Sequence, residues 1–160
     1  MAQTIFTVGH SSLNFMQFIT LIQANNINHI VDIRSIPYSK YAPWSDKSRL
    51  PNMLLPFKIK YTYLGHKLGG KPIKKTRSPE QRNLPPQAVY NEAIKVLMEL
   101  SMRSHLAIMC AEGDPGRCHR QHTIAQTLLA SGTKVLHILN DGTIKEAWIE
   151  EKAPDQPRLF

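Results

Sequence analysis

The chain has 160 residues, a formal net charge of +8 and 42% apolar residues, enough for one domain with a sizeable core and too apolar for wholesale disorder. No run of 18 apolar residues occurs. The opening Met1-Ala-Gln-Thr-Ile-Phe6 also lacks the basic, apolar and small-residue order of a signal peptide, so a cytoplasmic protein without a membrane partner is expected. Two cysteines are too few for a disulfide framework and are expected to be reduced.

In chain order, Gln3 to Gly9 reads as a strand, followed by a helix with Phe15, Phe18, Ile19 and Ile22 on one face, capped by Ser12 or Asn14 and ended by Asn25-Asn26. His29 to Ser35 is a second strand, which makes the opening a β-α-β unit with a parallel crossover. Residues 36–58 carry Pro37, Pro43, Pro51 and Pro56 and read as a long excursion with at most a short helix. Ile59 to Gly65 is a third strand, and Gly69-Gly70 opens an irregular segment through Pro86. Val89, Ala93, Val96, Leu97 and Leu100 mark an amphipathic helix. A strand His105 to Met109 runs into Cys110, a helix with Ile124, Ala125, Leu128 and Leu129 starts at Cys118, and Lys134 to Asn140 is a last strand. Strands alternating with helices predict a single-domain three-layer α/β sandwich over residues 1–150 with a mostly parallel, Rossmann-like sheet, and a loosely held tail over 151–160.

The charge is uneven. Lys40 to Arg82 holds eleven basic residues against two acidic ones, whereas the remainder has nine against ten. The basic stretch is interleaved with Tyr38, Tyr41, Trp44, Tyr61 and Tyr63, a pattern suited to nucleic acid, with Lys71, Lys74, Lys75 and Arg77 as phosphate contacts. A solvated basic surface is the plainer alternative.

In open parallel sheets ligands bind beyond the carboxyl ends of the strands. Here those positions are polar in every strand: Gly9-His10-Ser11-Ser12, Asp32-Ile-Arg34-Ser35, Gly65-His66, Cys110-Ala-Glu112 and Asn140-Asp141. The densest is Cys110-Ala-Glu112-Gly-Asp114-Pro-Gly-Arg117-Cys118-His119-Arg120, where a turn precedes a helix whose first N–H groups lack intrahelical partners. One pocket is expected, with His10, Asp32, Cys110 and Glu112 as catalytic candidates. Ser11, Arg34, Ser35, Arg117, Cys118, His119 and Arg120 are the candidates for holding substrate or an anion. Taken singly, each has a plain structural reading: a turn histidine, an Asp32–Arg34 ion pair, capping serines, a packed thiol. Zinc fits poorly, since Cys-x7-Cys-His is not a usual ligand spacing. A phosphate loop of the cysteine-phosphatase kind needs its arginine six positions after the nucleophile, and Arg117 stands seven after Cys110. No cofactor and no metal are expected.

Together Thr7-Val-Gly9-His10-Ser11, Val31-Asp32-Ile-Arg34-Ser35-Ile-Pro37-Tyr-Ser39, Tyr63-Leu-Gly65-His-Lys-Leu-Gly69-Gly70 and the 110–120 cluster resemble the domain-of-unknown-function family numbered 488. The resemblance spans about residues 4 to 138. It implies one small α/β domain and one site containing His10, Asp32, Arg34, Cys110, Glu112, Cys118, His119 and Arg120, and it implies no reaction. From the residues, the leading expectation is an enzyme that hydrolyses or transfers a group on a phosphate-bearing substrate, nucleotide or nucleic acid. Arg34, Arg120 and the helix start would hold phosphate, Glu112 or Asp32 would act as acid or base, His10 would shuttle a proton or orient substrate, and Cys110 would be either nucleophile or packing. The alternatives are a non-catalytic nucleic-acid-binding module and a thiol redox or metal-handling protein using Cys110 and Cys118.

Overall fold

The computed structural model describes residues 3–69 and 86–151. Five parallel strands and one antiparallel edge strand form a single sheet. They are β1 (Thr4–Gly9), β2 (His29–Asp32), β3 (Lys60–Tyr63), β4 (Leu106–Cys110), β5 (Lys134–Ile138) and β6 (Ile144–Glu146), in the order β3-β2-β4-β1-β5-β6. The opening β-α-β unit is parallel as expected, but β4 lies between β1 and β2. The turn Asn140 to Gly142, with Gly142 at φ 91°, folds β6 back onto β5. Sequence reading missed β6 because its three residues are all exposed and carry no apolar alternation.

Helices cover both faces. Helix α1 (Phe15–Ala24) begins with a reciprocal cap, in which Asn14 Oδ1 accepts the Gln17 N–H at 2.8 Å and Gln17 returns the bond to the Asn14 N–H. Its buried Phe18, Ile19, Leu21 and Ile22 pack with Val8, Ile30, Met109 and Ile138 of the sheet. Leu50 and Leu54 of α2 (Leu50–Leu54), the short helix inside the proline-rich excursion, join the same layer. On the other face lie α3 (Gly65–Leu68), α4 (Pro86–Arg103), a π-helical turn over Arg120–Ala125 and α5 (Gln126–Ala130). There Leu68, Ala93, Leu97, Ile124 and Leu128 pack with Ile5, Val31, Ile108 and Val135. Strands buried on both faces read as continuous apolar runs, as Leu106–Cys110 does. Among the described residues, no helix is long and apolar enough to cross a membrane.

The connections place the site. After β1 the chain turns to the α1 face, and after the adjacent β4 it turns to the α5 face, so the two strand ends diverge around a crevice. The base of the crevice is closed by hydrogen bonds from His10 N to Cys110 O and from Ser11 N to Ala111 O, both 2.9 Å. That close approach requires Gly9, because a Cβ there would run into the Glu112 carbonyl. Gly9→Ala is expected to lose at least about 2 kcal/mol of stability, read from urea midpoints, because the obstacle is backbone and cannot rotate away.

Candidate functional site

Parallel register brings the strand-end residues to one edge. Gly9 pairs with Cys110 and Asp32 with Met109, so His10, Asp32 and Cys110 lie at one level across β1, β4 and β2. Two buried polar networks occupy this edge.

The first network is centred on Arg34, which is 4% exposed. Its Nε donates to Asp32 Oδ1 at 2.9 Å and its Nη2 to Asp32 Oδ2 at 2.7 Å and to Ser45 O at 2.7 Å; its Nη1 donates to Ser45 Oγ at 2.9 Å and to His10 Nε2 at 3.3 Å. These are all five N–H bonds a guanidinium possesses. Asp32 is fully buried and also accepts the Arg34 N–H and the Tyr61 hydroxyl, the latter at 2.6 Å. His10 donates from Nδ1 to Ser11 O at 2.9 Å while Nε2 accepts from Arg34, which specifies the neutral ring. Burial, followed by the Arg34 charge, accordingly holds its pKa below the usual histidine value, against the Ser11 and Asp32 contributions. The phosphate-holding role expected of Arg34 and the proton-shuttling role expected of His10 thus find their hydrogen-bonding capacity engaged inside the protein.

The second network surrounds Arg120, which is entirely buried. Its Nε donates to Thr7 Oγ1 at 3.1 Å, its Nη1 to Cys110 Sγ at 2.7 Å and to the Glu112 carbonyl, and its Nη2 to Gly113 O at 3.2 Å. Donor and acceptor roles behind it are forced. The amide of Gln121 donates to Trp148 O at 2.8 Å, so Gln121 Oε1 must accept from His137 Nε2, also at 2.8 Å. His137 Nδ1 is then the acceptor for the Thr7 hydroxyl at 2.6 Å, and Thr7 Oγ1 is left to accept from Arg120. The relay works only with neutral His137, whose pKa burial and then the Arg120 charge push down to about 4.

Depressed histidines have a signed consequence for stability. Both folded pKa values lie below the unfolded value near 6.5, so unfolded chains bind more protons below it, in a window that for His137 runs down to about pH 4. The stabilisation these two neutral rings contribute is complete above that window and falls as the pH drops through it. His137 alone accounts for about 3 kcal/mol across it, and His137→Gln is expected to flatten the fall in urea midpoints measured at a series of pH values.

No carboxylate contacts Arg120 among the described residues; the anionic candidates beside it are the two thiols. Cys110 Sγ and Cys118 Sγ stand 3.0 Å apart, both reduced, at 3% and 5% exposure. A buried guanidinium is costly without a counter-charge, which favours one thiolate in the pair. Arg120 Nη1 touches Cys110 Sγ, but the pKa that the surrounding contacts lower is that of Cys118. A hydrogen bond from Cys110 above all, then bonds from His119 and the Arg120 N–H, and the Arg120 charge, take its pKa down to about 4 against its burial. Burial, followed by the bond to Cys118, holds the Cys110 proton in place by raising its pKa well above the usual value. Sequence reading grouped Arg120 with the anion-holding residues and left Cys110 as either nucleophile or packed thiol. It missed Thr7 and His137, whose only signal was polarity within otherwise apolar strands, and Gln121, one polar residue among others in Arg120-Gln121-His122-Thr123.

The other candidates sit around this core. Glu112 is exposed, with Oε1 accepting the Asp114 N–H at 3.0 Å. Arg117 is 80% exposed and 3.8 Å from Asp114. Ser11 adopts φ 48° and is held by its backbone, and Ser35 accepts the Tyr63 hydroxyl at its carbonyl, 3.3 Å. His119 turns Nδ1 toward Cys118 Sγ at 3.6 Å, while its Nε2 and Asn140 Oδ1 are buried without a hydrogen-bond partner among the described residues. Also among the described residues, no cluster of three metal-ligating side chains occurs. Lys71, Lys74, Lys75 and Arg77 lie outside the described residues, as does the tail beyond Glu151. Of the five aromatics, Trp44 is packed on Phe15 and Phe18 with its indole N–H on Leu13 O, and Tyr61 and Tyr63 are tied to Asp32 and Arg34. Tyr38 and Tyr41 remain exposed.

Fold and site define a doubly wound α/β domain with a buried dithiol at the crevice between its two central strands. The chain belongs to the family described as Domain of unknown function DUF488, whose pattern matches residues 14–127. The match takes in Asp32, Arg34 and the whole 110–120 cluster and begins after His10. Neither the curated proteins nor the solved structures yield a significant match.

Proposed function

We propose that the chain is a thiol-dependent oxidoreductase whose reacting pair is Cys110 and Cys118. The observation that carries this reading is the 3.0 Å separation of the two sulfurs beside a buried guanidinium that favours one thiolate. The Cys118 thiolate attacks one sulfur of a substrate disulfide, and the departing sulfur leaves as a thiolate that takes up a proton. Cys110 then gives up its own proton and attacks Cys118 Sγ, which displaces the second substrate thiol and closes the intramolecular disulfide. The substrate gains two electrons and two protons; the protein loses the two electrons. Closing the bond from 3.0 Å to about 2 Å needs a shift of about 1 Å.

Equilibration with mixtures of reduced and oxidised glutathione, followed by acid quench and mass spectrometry, tests it. An internal disulfide formed without stable glutathione adducts is expected, together with a trapped adduct on Cys118 in Cys110→Ser. Two cysteines that remain reduced, or that are capped independently, overturn the reading.

A second reading is favoured by the buried His119 Nε2 and Asn140 Oδ1, which have no hydrogen-bond partner among the described residues and which a substrate would satisfy. In it Cys118 is the nucleophile for hydrolysis or group transfer on a phosphate-bearing substrate, beside the His119 ring. Cys110→Ser discriminates: it abolishes dithiol turnover and leaves single-thiol transfer.

A further inference from the structure

The loop that follows β2 carries a feature the thiol chemistry does not use. Of the eight large apolar residues exposed among the described residues, three fall within six positions: Ile36 at 58%, Tyr38 at 59% and Tyr41 at 76%. The loop is ordered by its own bonds. The Asp46 carboxylate accepts the Ser39 N–H at 3.2 Å, Ser39 Oγ accepts the N–H groups of Tyr41 and Ala42 at 3.3 Å each, and Lys47 N donates to Pro37 O at 3.0 Å. Buried Ala42 and Ser45, the latter bound to Arg34, anchor it to the domain. A loop built this firmly holds two aromatic rings in water without the cost of ordering them on contact.

The surrounding charge identifies what those rings would meet. From Ile36 to Gly69 there are six basic residues, Lys40, Lys47, Arg49, Lys58, Lys60 and Lys67, against Asp46 alone. That one carboxylate is half-buried and accepts the Ser39 N–H. Lys40 Nζ lies 5.5 Å from the Tyr41 ring centre, and Lys47 Nζ lies 4.0 Å from that of Tyr63, so cations and aromatic faces are interleaved. Aromatic faces stack on unpaired bases while lysines neutralise the intervening phosphates, and a duplex hides the base faces that stacking needs.

We propose that the 36–49 segment is a binding surface for single-stranded nucleic acid, with Tyr38 and Tyr41 as stacking platforms and Lys40, Lys47 and Arg49 as phosphate contacts. It is independent of the dithiol reading, since none of these side chains reaches the sulfurs. The test is fluorescence polarisation with labelled oligothymidylate, oligouridylate and a duplex of equal length, at several salt concentrations, for the intact chain and for Tyr38→Ala/Tyr41→Ala. The single strands should bind more tightly than the duplex, with affinity that falls steeply as salt rises. Each lost ring should cost at least about five-fold in affinity. Exposed rings are not needed for folding, so the double variant should melt with the parent, and Met102→Ala, exposed on α4, should bind as the parent does. The proposal fails if no binding occurs at low salt, if the duplex binds as tightly as the single strands, or if the double variant binds undiminished. It also fails if the double variant instead converts a dimer to a monomer, which would make the patch a contact between copies of the chain.

Discussion

Thiolate absorbance in the ultraviolet is expected to stay nearly constant from about pH 8 down to about pH 5, because the contacts around Cys118 pull its pKa down to about 4. An ordinary thiol, with a pKa near 8.5, would have lost all but about a hundredth of its signal by about pH 6.5. The difference arises where two cysteines share one proton beside a guanidinium, so each variant has its own outcome. Cys110→Ser keeps a hydroxyl donor toward Cys118 and should retain the low titration. Cys118→Ser removes the sulfur that receives the Cys110 proton, the His119 ring and the Arg120 N–H, and the remaining buried thiol should titrate far higher. A parent protein whose signal disappears between pH 8 and pH 6 has no resident thiolate, and the nucleophile assigned to Cys118 would be lost with it.

Arg120→Ala is expected to cost about 3–5 kcal/mol of stability, because it removes a fully buried charge together with its bonds to Thr7, Cys110, Glu112 and Gly113. A group that merely held phosphate at the surface would leave the fold intact and weaken only the ligand. Urea midpoints separate these cases. A loss under about 1 kcal/mol would show that the residue is not the internal cation described above. Thr7→Val should cost less, since it leaves the charge in place and removes only the hydroxyl that joins His137 to Arg120 Nε, and Thr7→Ser should restore it. In whatever Arg120→Ala remains folded, the Cys118 titration should move upward, as the nearest cation is gone.

The 110–120 segment shows how much of the site was legible. Its crowding of sulfur, charge and turn residues after an apolar strand marked it, and the rule that strand ends converge in parallel sheets placed His10 and Asp32 with it. The roles were less legible, because they depend on what each polar atom finds opposite. Arg34 and Arg120 look alike in the sequence, yet one is paired with Asp32 two residues away and the other lies against the sulfur of Cys110, ten residues before it. The aromatics behave similarly: Trp44 and Tyr41 share one loop, but Trp44 is drawn under it onto Phe15 and Phe18 while Tyr41 faces water.

The amino-acid order by itself determined the alternation of strands and helices, the single α/β domain and the polar character of every strand end, since these follow from local periodicity and turn chemistry. Tertiary structure decided the position of β4 between β1 and β2, the partners of each guanidinium and the meeting of Thr7, Gln121 and His137, residues up to 130 positions apart. Hydrogen bonds and charges act over a few ångströms in space with no regard for distance along the chain, so these features came into being only when the sheet assembled.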